Sequence, residues 1–306
     1  MARKIVFMGT PEFSVKILDS LHKSDYEVIC VYTQPPKKSN RGMKTNISPI
    51  HAYAKKNNLN IRHPITLNSE EEFNFFKSIN TEIIIVVAYG QIIPKKYLDI
   101  PKYGFINIHA SLLPKWRGAA PIQRAIINQD HETGISIMRI TEKLDSGPVF
   151  VKYNVKIKDD DTSETLSKSL SKMAADNIVS DLDNIFKNNS KFIEQDHKLA
   201  TYASKIDKNE SKIDWNNEAD KIIAKINGLN PSPGAWFIYN NKRYKVWSAK
   251  KNLNKGKPGE ILDKNFTIGC KDKSIVFNEI QKEGKNRLML DQFLLGMNFK
   301  VGEFLV

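Results

Sequence analysis

Short, continuously apolar runs alternating with helical periodicity constrain the fold of this chain more than any other feature. Ile5-Val6-Phe7-Met8, Val28-Ile29-Cys30-Val31-Tyr32, Ile83-Ile84-Ile85-Val86-Val87 and Phe105-Ile106-Asn107-Ile108 are almost free of polar residues. A strand with one wet face would alternate, so a run that is apolar throughout has both faces covered, as in a parallel sheet between helices. After the first run, Phe13, Ile17 and Leu21 recur at four-residue steps. Gly9-Thr10-Pro11-Glu12 opens that segment, with Thr10 expected as N-cap and Pro11 at the first helical position. Strand, helix, strand repetition predicts an α/β fold with a doubly wound, mostly parallel, Rossmann-like sheet.

Two further strands are expected around Ile135 and Val149. Asp161-Thr162-Ser163-Glu164 reads as a capping box, and Leu166, Leu170, Met173, Ala174, Ile178, Leu182 and Ile185 mark a long amphipathic helix behind it. That helix closes a first domain, 1–189, and the aperiodic stretch 190–208 reads as a linker. Residues 209–306 begin with a helix ending at Gly228, followed by Pro231-Ser232-Pro233-Gly234 and several short strands separated by Asn, Gly and Lys. That spacing predicts a smaller, OB-like β-barrel domain. Gln34 to Lys44 is basic and rich in turn-formers, and is expected to be an exposed, mobile loop.

A length of 306 residues, 41% of them hydrophobic and 26% charged, allows two cores. No run of about 18 apolar residues occurs, which argues against a membrane span, and the first apolar run is too short for a signal peptide. A cytoplasmic setting is expected. Cys30 and Cys270 are the only cysteines and have no partner at metal spacing, so both read as reduced packing residues. The net charge of +13 favours a polyanionic partner. Lys242, Arg243, Lys245, Lys250, Lys251, Lys255 and Lys257 follow one another with no acid between them, interleaved with Tyr244 and Trp247. A merely solvated face is the plainer alternative, and Trp247 reads either as core or as a base-stacking surface.

Chemistry concentrates in the segment 105–124, FINIHASLLPKWRGAAPIQR. Asn107 and His109 are two positions apart on a strand, so their side chains leave the same face. Pro114 cannot serve a central strand, which places the pair at the strand's carboxyl end. The turn Leu144-Asp145-Ser146-Gly147 offers an exposed carboxylate that only folding can bring to His109. If it does so, the trio suits acyl transfer to an amine. The Asn107 amide and a protonated His109 would donate to the oxyanion, and Asp145 would favour the charged imidazole and help remove the amine proton. No metal or covalent intermediate is required, and neither a zinc cluster, a nucleophile elbow nor a P-loop is present. Trp116 is expected as a buried anchor beside the site.

The motifs MGTPEFS at 8–14, VVAYGQIIP at 86–94, FINIHASLLPKWRGAAPIQRAI at 105–126, LDSGP at 144–148 and GLNPSPGAW at 228–236 resemble the methionyl-tRNA formyltransferase family, in its order and over nearly the whole length. The Asn-x-His block with a later Asp is shared by folate-dependent formyltransferases generally, so it specifies the reaction better than the acceptor. The resemblance implies that Asn107, His109 and Asp145 are the catalytic trio and that Ser111, Leu112, Leu113 and Pro114 bind the folate. It further implies 10-formyltetrahydrofolate as formyl donor, initiator methionyl-tRNA as acceptor, Arg41 as a tRNA contact, no metal and a monomer. Lys115 departs from the family's usual arginine and receives no role. Two competing readings remain at this point: a sugar-nucleotide or purine-precursor amine as acceptor, and a non-catalytic RNA-binding module.

Overall fold

The computed structural model describes residues 2–39 and 44–306. The chain divides into two compact units, one formed by Met1–Gly118, Gly134–Val155 and Ser167–Tyr202, the other by Ala119–Thr133, Lys156–Leu166 and Ala203–Val306.

The first unit is built on a seven-stranded sheet: β1 (Lys4–Gly9), β2 (Glu27–Tyr32), β3 (Ile61–Arg62), β4 (Ile83–Val87), β5 (Phe105–His109), β6 (Glu132–Arg139) and β7 (Val149–Lys156). Their order across the sheet is β7-β6-β5-β4-β1-β2-β3. The β1 to β5 pairings are parallel, and β6 runs antiparallel to β5. Every residue of β4 is buried, which is why its sequence shows no alternation. One face of the sheet presents Val6, Met8, Tyr32, Ile84 and Val86 to Phe76 and Tyr97. Elsewhere in this unit the long helix Ser163–Phe186 meets the helix Val15–His22 and its approach, where Ser171 Oγ donates to the Phe13 carbonyl and Ser20 Oγ to the Ala175 carbonyl. The strand order reverses between β1 and β4, which opens a crevice at their carboxyl ends.

Local details differ from the sequence reading in three places. Thr10 caps no helix: Pro11 precedes a 3-10 turn, Glu12–Ser14, and the Thr10 hydroxyl donates to the Tyr89 carbonyl at 2.7 Å. That carbonyl lies beyond the sheet ladder and takes a side-chain donor instead. The capping box is shifted by one residue. Thr162 Oγ1 accepts from Thr165 N at 3.2 Å, and Thr165 Oγ1 accepts from Thr162 N at 2.9 Å. The reciprocal pair needs a spacing of three from the N-cap, which Thr165 has and Glu164 lacks. The segment expected as an exposed, mobile loop contains the strand Lys37–Ser39, which pairs antiparallel with Lys44–Asn46, a strand that starts at the segment's last residue. Residues 40–43, Arg41 among them, lie outside the described residues.

The second unit carries β8 (Ala235–Tyr239), β9 (Lys242–Asn252), β10 (Thr267–Gly269), β11 (Ser274–Lys282) and β12 (Leu288–Met289), in the order β8-β9-β11-β10 with β12 beside β11. The pairings among these five strands are antiparallel. Register shifts between Val246 and Ala249 add twist and help curl the sheet into a barrel-like wall. Inside lie Trp215, Phe237, Tyr244, Phe266 and Phe277 together with Ile222 and Ile226 of the helix Ala219–Gly228. Phe237 stacks on Phe277 with centroids 5.6 Å apart.

Candidate active site

β5 delivers Asn107 and His109 to one face of the sheet at the strand's carboxyl end, as a two-residue period requires. The turn after β6 brings Asp145 to them. Asp145 Oδ2 lies 3.7 Å from His109 Nδ1, and Asn107 Nδ2 donates to Asp145 Oδ1 at 3.5 Å. The His109 side chain is 7% exposed and that of Asp145 15% exposed, so the carboxylate expected to be exposed is largely enclosed. The reason is that the turn folds back into the sheet edge rather than projecting from it. The structure thus brings together all three residues singled out in the sequence.

Two backbone groups complete the arrangement, and neither left a signal in the sequence. His109 Nε2 lies 2.9 Å from the Trp116 carbonyl oxygen. A carbonyl only accepts, so this ring nitrogen carries the hydrogen and Nδ1 is the nitrogen that faces Asp145. Gly118 N donates to Asp145 Oδ2 at 2.8 Å. Trp116, with φ of 58°, and Gly118, with φ of 118°, turn the chain so that a carbonyl and an N–H separated by one residue both face the site. Trp116 itself is half-buried rather than a fully buried anchor.

The segment matched to the folate donor follows directly. Ser111 and Leu113 are fully buried, whereas Leu112 and Pro114 are half-buried. The Ser111 hydroxyl is spent on the Lys115 carbonyl at 2.6 Å. Ser136 holds the loop from beneath, donating to the Ser111 carbonyl at 2.7 Å and accepting from Leu113 N at 3.0 Å. The surfaces left for a ligand in this stretch are Leu112, Pro114 and backbone. Among the described residues no group of three or more His, Cys, Asp or Glu is placed to hold a metal ion. No helix among them is long and apolar enough to cross a membrane. Cys30 and Cys270 are both free and buried, and burial pushes each thiol up to about 12.

In the second unit the basic stretch lies along β9. Lys251 is paired with Asp220 at 2.8 Å, and Lys245 Nζ donates to the Pro233 carbonyl at 2.6 Å. Trp247 is buried at 3% exposure, with its Nε1 donating to Gln281 Oε1 and the Arg287 guanidinium 3.6 Å above its ring. Burial and the guanidinium over its ring make Trp247 a packed residue of this unit rather than an open stacking surface. Arg243 covers Trp236 in the same way at 4.2 Å.

A formyl transferase family model matches residues 3–182, and a second, described as the formyl transferase C-terminal domain, matches residues 205–298. The methionyl-tRNA formyltransferase of Pelagibacter ubique (strain HTCC1062) is 54% identical, over 97% of this chain and 96% of that protein. That of Jannaschia sp. (strain CCS1) is 41% identical over 99% of each. Among solved structures, an N-formyltransferase from Helicobacter canadensis in complex with folinic acid and dTDP-3-aminofucose superposes with a TM-score of 0.69 at 19% identity, covering 92% of this chain and 100% of that one. HypX from Aquifex aeolicus in complex with tetrahydrofolic acid gives 0.67 at 15% identity over 99% of this chain. This chain spans about half of HypX, 50% of its length. At such identities these structures speak for the fold alone.

Proposed function

The chain belongs to the formyl transferase family, and from that premise we propose that it transfers the formyl group of 10-formyltetrahydrofolate to the free amino group of methionyl-initiator tRNA. The observation that carries the reading is the convergence of Asn107, His109 and Asp145 at the carboxyl end of β5, beside the crevice where the strand order reverses. The relatives named for this reaction match nearly end to end, which supports methionyl-tRNA as the acceptor.

The amine attacks the formyl carbon, and a tetrahedral intermediate with an oxyanion forms. Asn107 Nδ2, held by only a long contact to Asp145, retains a hydrogen for that oxygen. With its Nε2 hydrogen taken by the Trp116 carbonyl, His109 supplies a second donor only through a proton on Nδ1, and each such donor contributes about 3 kcal/mol of barrier lowering. The Asp145 carboxylate accepts the proton shed by the amine, directly or through water. Collapse then breaks the bond from the formyl carbon to N10 of the folate, and that nitrogen takes up, directly or through water, the proton that Asp145 accepted, which restores the carboxylate. Leu112 and Pro114 are the side chains of the Ser111 to Pro114 loop left to line the folate site. Residues 1–189 perform the transfer, and 209–306, joined through 190–208, hold the tRNA backbone by charge, with Arg41 contributing a further phosphate or end-base contact. The enzyme acts as a cytoplasmic monomer.

The test is formation of formylmethionyl-tRNA by purified protein supplied with 10-formyltetrahydrofolate. Product is expected from the intact enzyme. His109→Ala should lower kcat at least 100-fold, about 3 kcal/mol, while leaving tRNA affinity within twofold. An intact protein that forms no product with active donor refutes the assignment.

A further inference from the structure

Asp145 has a backbone φ of 44°, a conformation that costs a non-glycine residue free energy unless its surroundings hold it. The group that holds it comes from the stretch the sequence presents as linker. Gln195 Nε2 donates to the Asp145 carbonyl at 2.9 Å and to the Gly147 carbonyl at 2.7 Å. Its Oε1 accepts from Arg117 Nη2 at 2.7 Å and from Arg117 Nε at 3.2 Å. All the hydrogen-bonding capacity of the amide is therefore used, two donors on the catalytic turn and two acceptor sites on one guanidinium. Gln195 is 8% exposed and Arg117 4% exposed, so water does not compete for these bonds.

Arg117 is anchored in turn. Its Nη2 lies 3.0 Å from His197 Nδ1, which must accept because a guanidinium only donates, and its backbone N–H donates to the Thr201 carbonyl at 2.9 Å. The next residue, Gly118, grips the Asp145 carboxylate directly. Consecutive residues thus fix Asp145 at both ends: Gly118 at the carboxylate, and Arg117 at the main chain through Gln195. A buried amide with four satisfied bonds in a fixed geometry does more than fill space. It sets the position of a carboxylate whose distance to the His109 ring is already 3.7 Å.

We propose that Gln195, oriented by Arg117, is a positioning residue for formyl transfer, holding Asp145 in register with His109 and Asn107 from outside the motif that carries them. The proposal rests on the transfer reaction assigned above. Gln195 is buried with every hydrogen-bonding site of its amide engaged and has none to offer a reactant, so its loss acts on kcat rather than on substrate affinity.

The experiment compares wild type, Gln195→Leu, Asp145→Asn and the double variant in single-turnover and steady-state formylation of methionyl-tRNA. Gln195→Leu should lower kcat 10- to 100-fold with both KM values within about twofold. In the Asp145→Asn background the same change should cost less than threefold, because a residue acting through Asp145 has nothing left to position. Two isosteric or charge-preserving changes guard against misfolding. Gln195→Glu loses both donors to the turn, Arg117→Lys loses the fork, and each should reproduce the kcat loss in protein that still unfolds in one cooperative thermal transition, at a lowered midpoint. Wild-type kcat in folded Gln195 variants, or an equal loss with and without Asp145, overturns the proposal. A wild type that transfers no formyl group overturns the functional reading and the proposal with it.

Discussion

Replacing Asp181 with asparagine should stabilise the protein at neutral pH and do so progressively less as pH falls towards 4. Asp181 lies in the long helix Ser163–Phe186 at 3% exposure, with Oδ1 accepting from the Tyr153 hydroxyl at 2.9 Å. Its Oδ2 has no hydrogen-bond partner among the described residues. Burial pushes the carboxyl up to about 6 from its ordinary 3.8, while the Tyr153 hydroxyl pulls it weakly the other way. Because the folded carboxyl holds its proton more tightly than the unfolded one, stability is fully present below pH 3.8 and falls as pH rises through about 6. Above that range the buried charge costs about 3 kcal/mol. Asparagine keeps the acceptor for Tyr153 but leaves amide hydrogens unpaired at a cost of about 1–3 kcal/mol, the same at every pH. The pH-dependent part is therefore separable from the constant part. Urea unfolding followed by far-UV circular dichroism at pH 4, 5, 6 and 7.5 gives the difference between variant and wild type, in which all other titrations cancel. That difference should move in favour of the variant by about 2.4 kcal/mol between pH 4 and 7.5, with most of the change between pH 4 and 6. A difference that stays flat across this range would show the carboxyl to be hydrated and refute the reasoning.

Two further perturbations probe other parts of the first unit. Arg62 forks onto the buried Glu72, with Nη2 2.6 Å from Oε2 and Nε 2.9 Å from Oε1, while Tyr32 donates to the same carboxylate. Arg62→Ala strands that charge and should destabilise the protein by about 3–5 kcal/mol, seen as a lowered midpoint in thermal melts; a loss below about 1 kcal/mol would mean that water replaces the guanidinium. A methyl group at Gly147 would sit 2.0 Å from the Arg139 carbonyl oxygen. Gly147→Ala should therefore both lower the melting temperature and slow formyl transfer by displacing the Asp145 turn, and a variant with unchanged kcat would separate backbone spacing there from the position of the carboxylate.

The sequence by itself determined the layers of the first unit and half of the catalytic arrangement. Apolar runs over Ile5–Met8 of β1 and at every position of β4 announced a sheet covered on both faces, because burial acts locally on each residue. The two-residue period of a strand put Asn107 and His109 on one side before any fold was known. Tertiary structure decided the rest. Asp145, 38 residues beyond Asn107, reaches the site through a turn whose sequence is ordinary. The Trp116 carbonyl and the Gly118 N–H act through the main chain, which has no side-chain signature, and Gln195 stands in a stretch without periodicity. Trp247 among lysines reads from sequence as core or as a base-stacking surface, and its burial beneath Arg287 decides for core. Period and hydrophobicity are properties of neighbours along the chain, whereas a hydrogen bond across a fold depends on where two distant backbones come to rest.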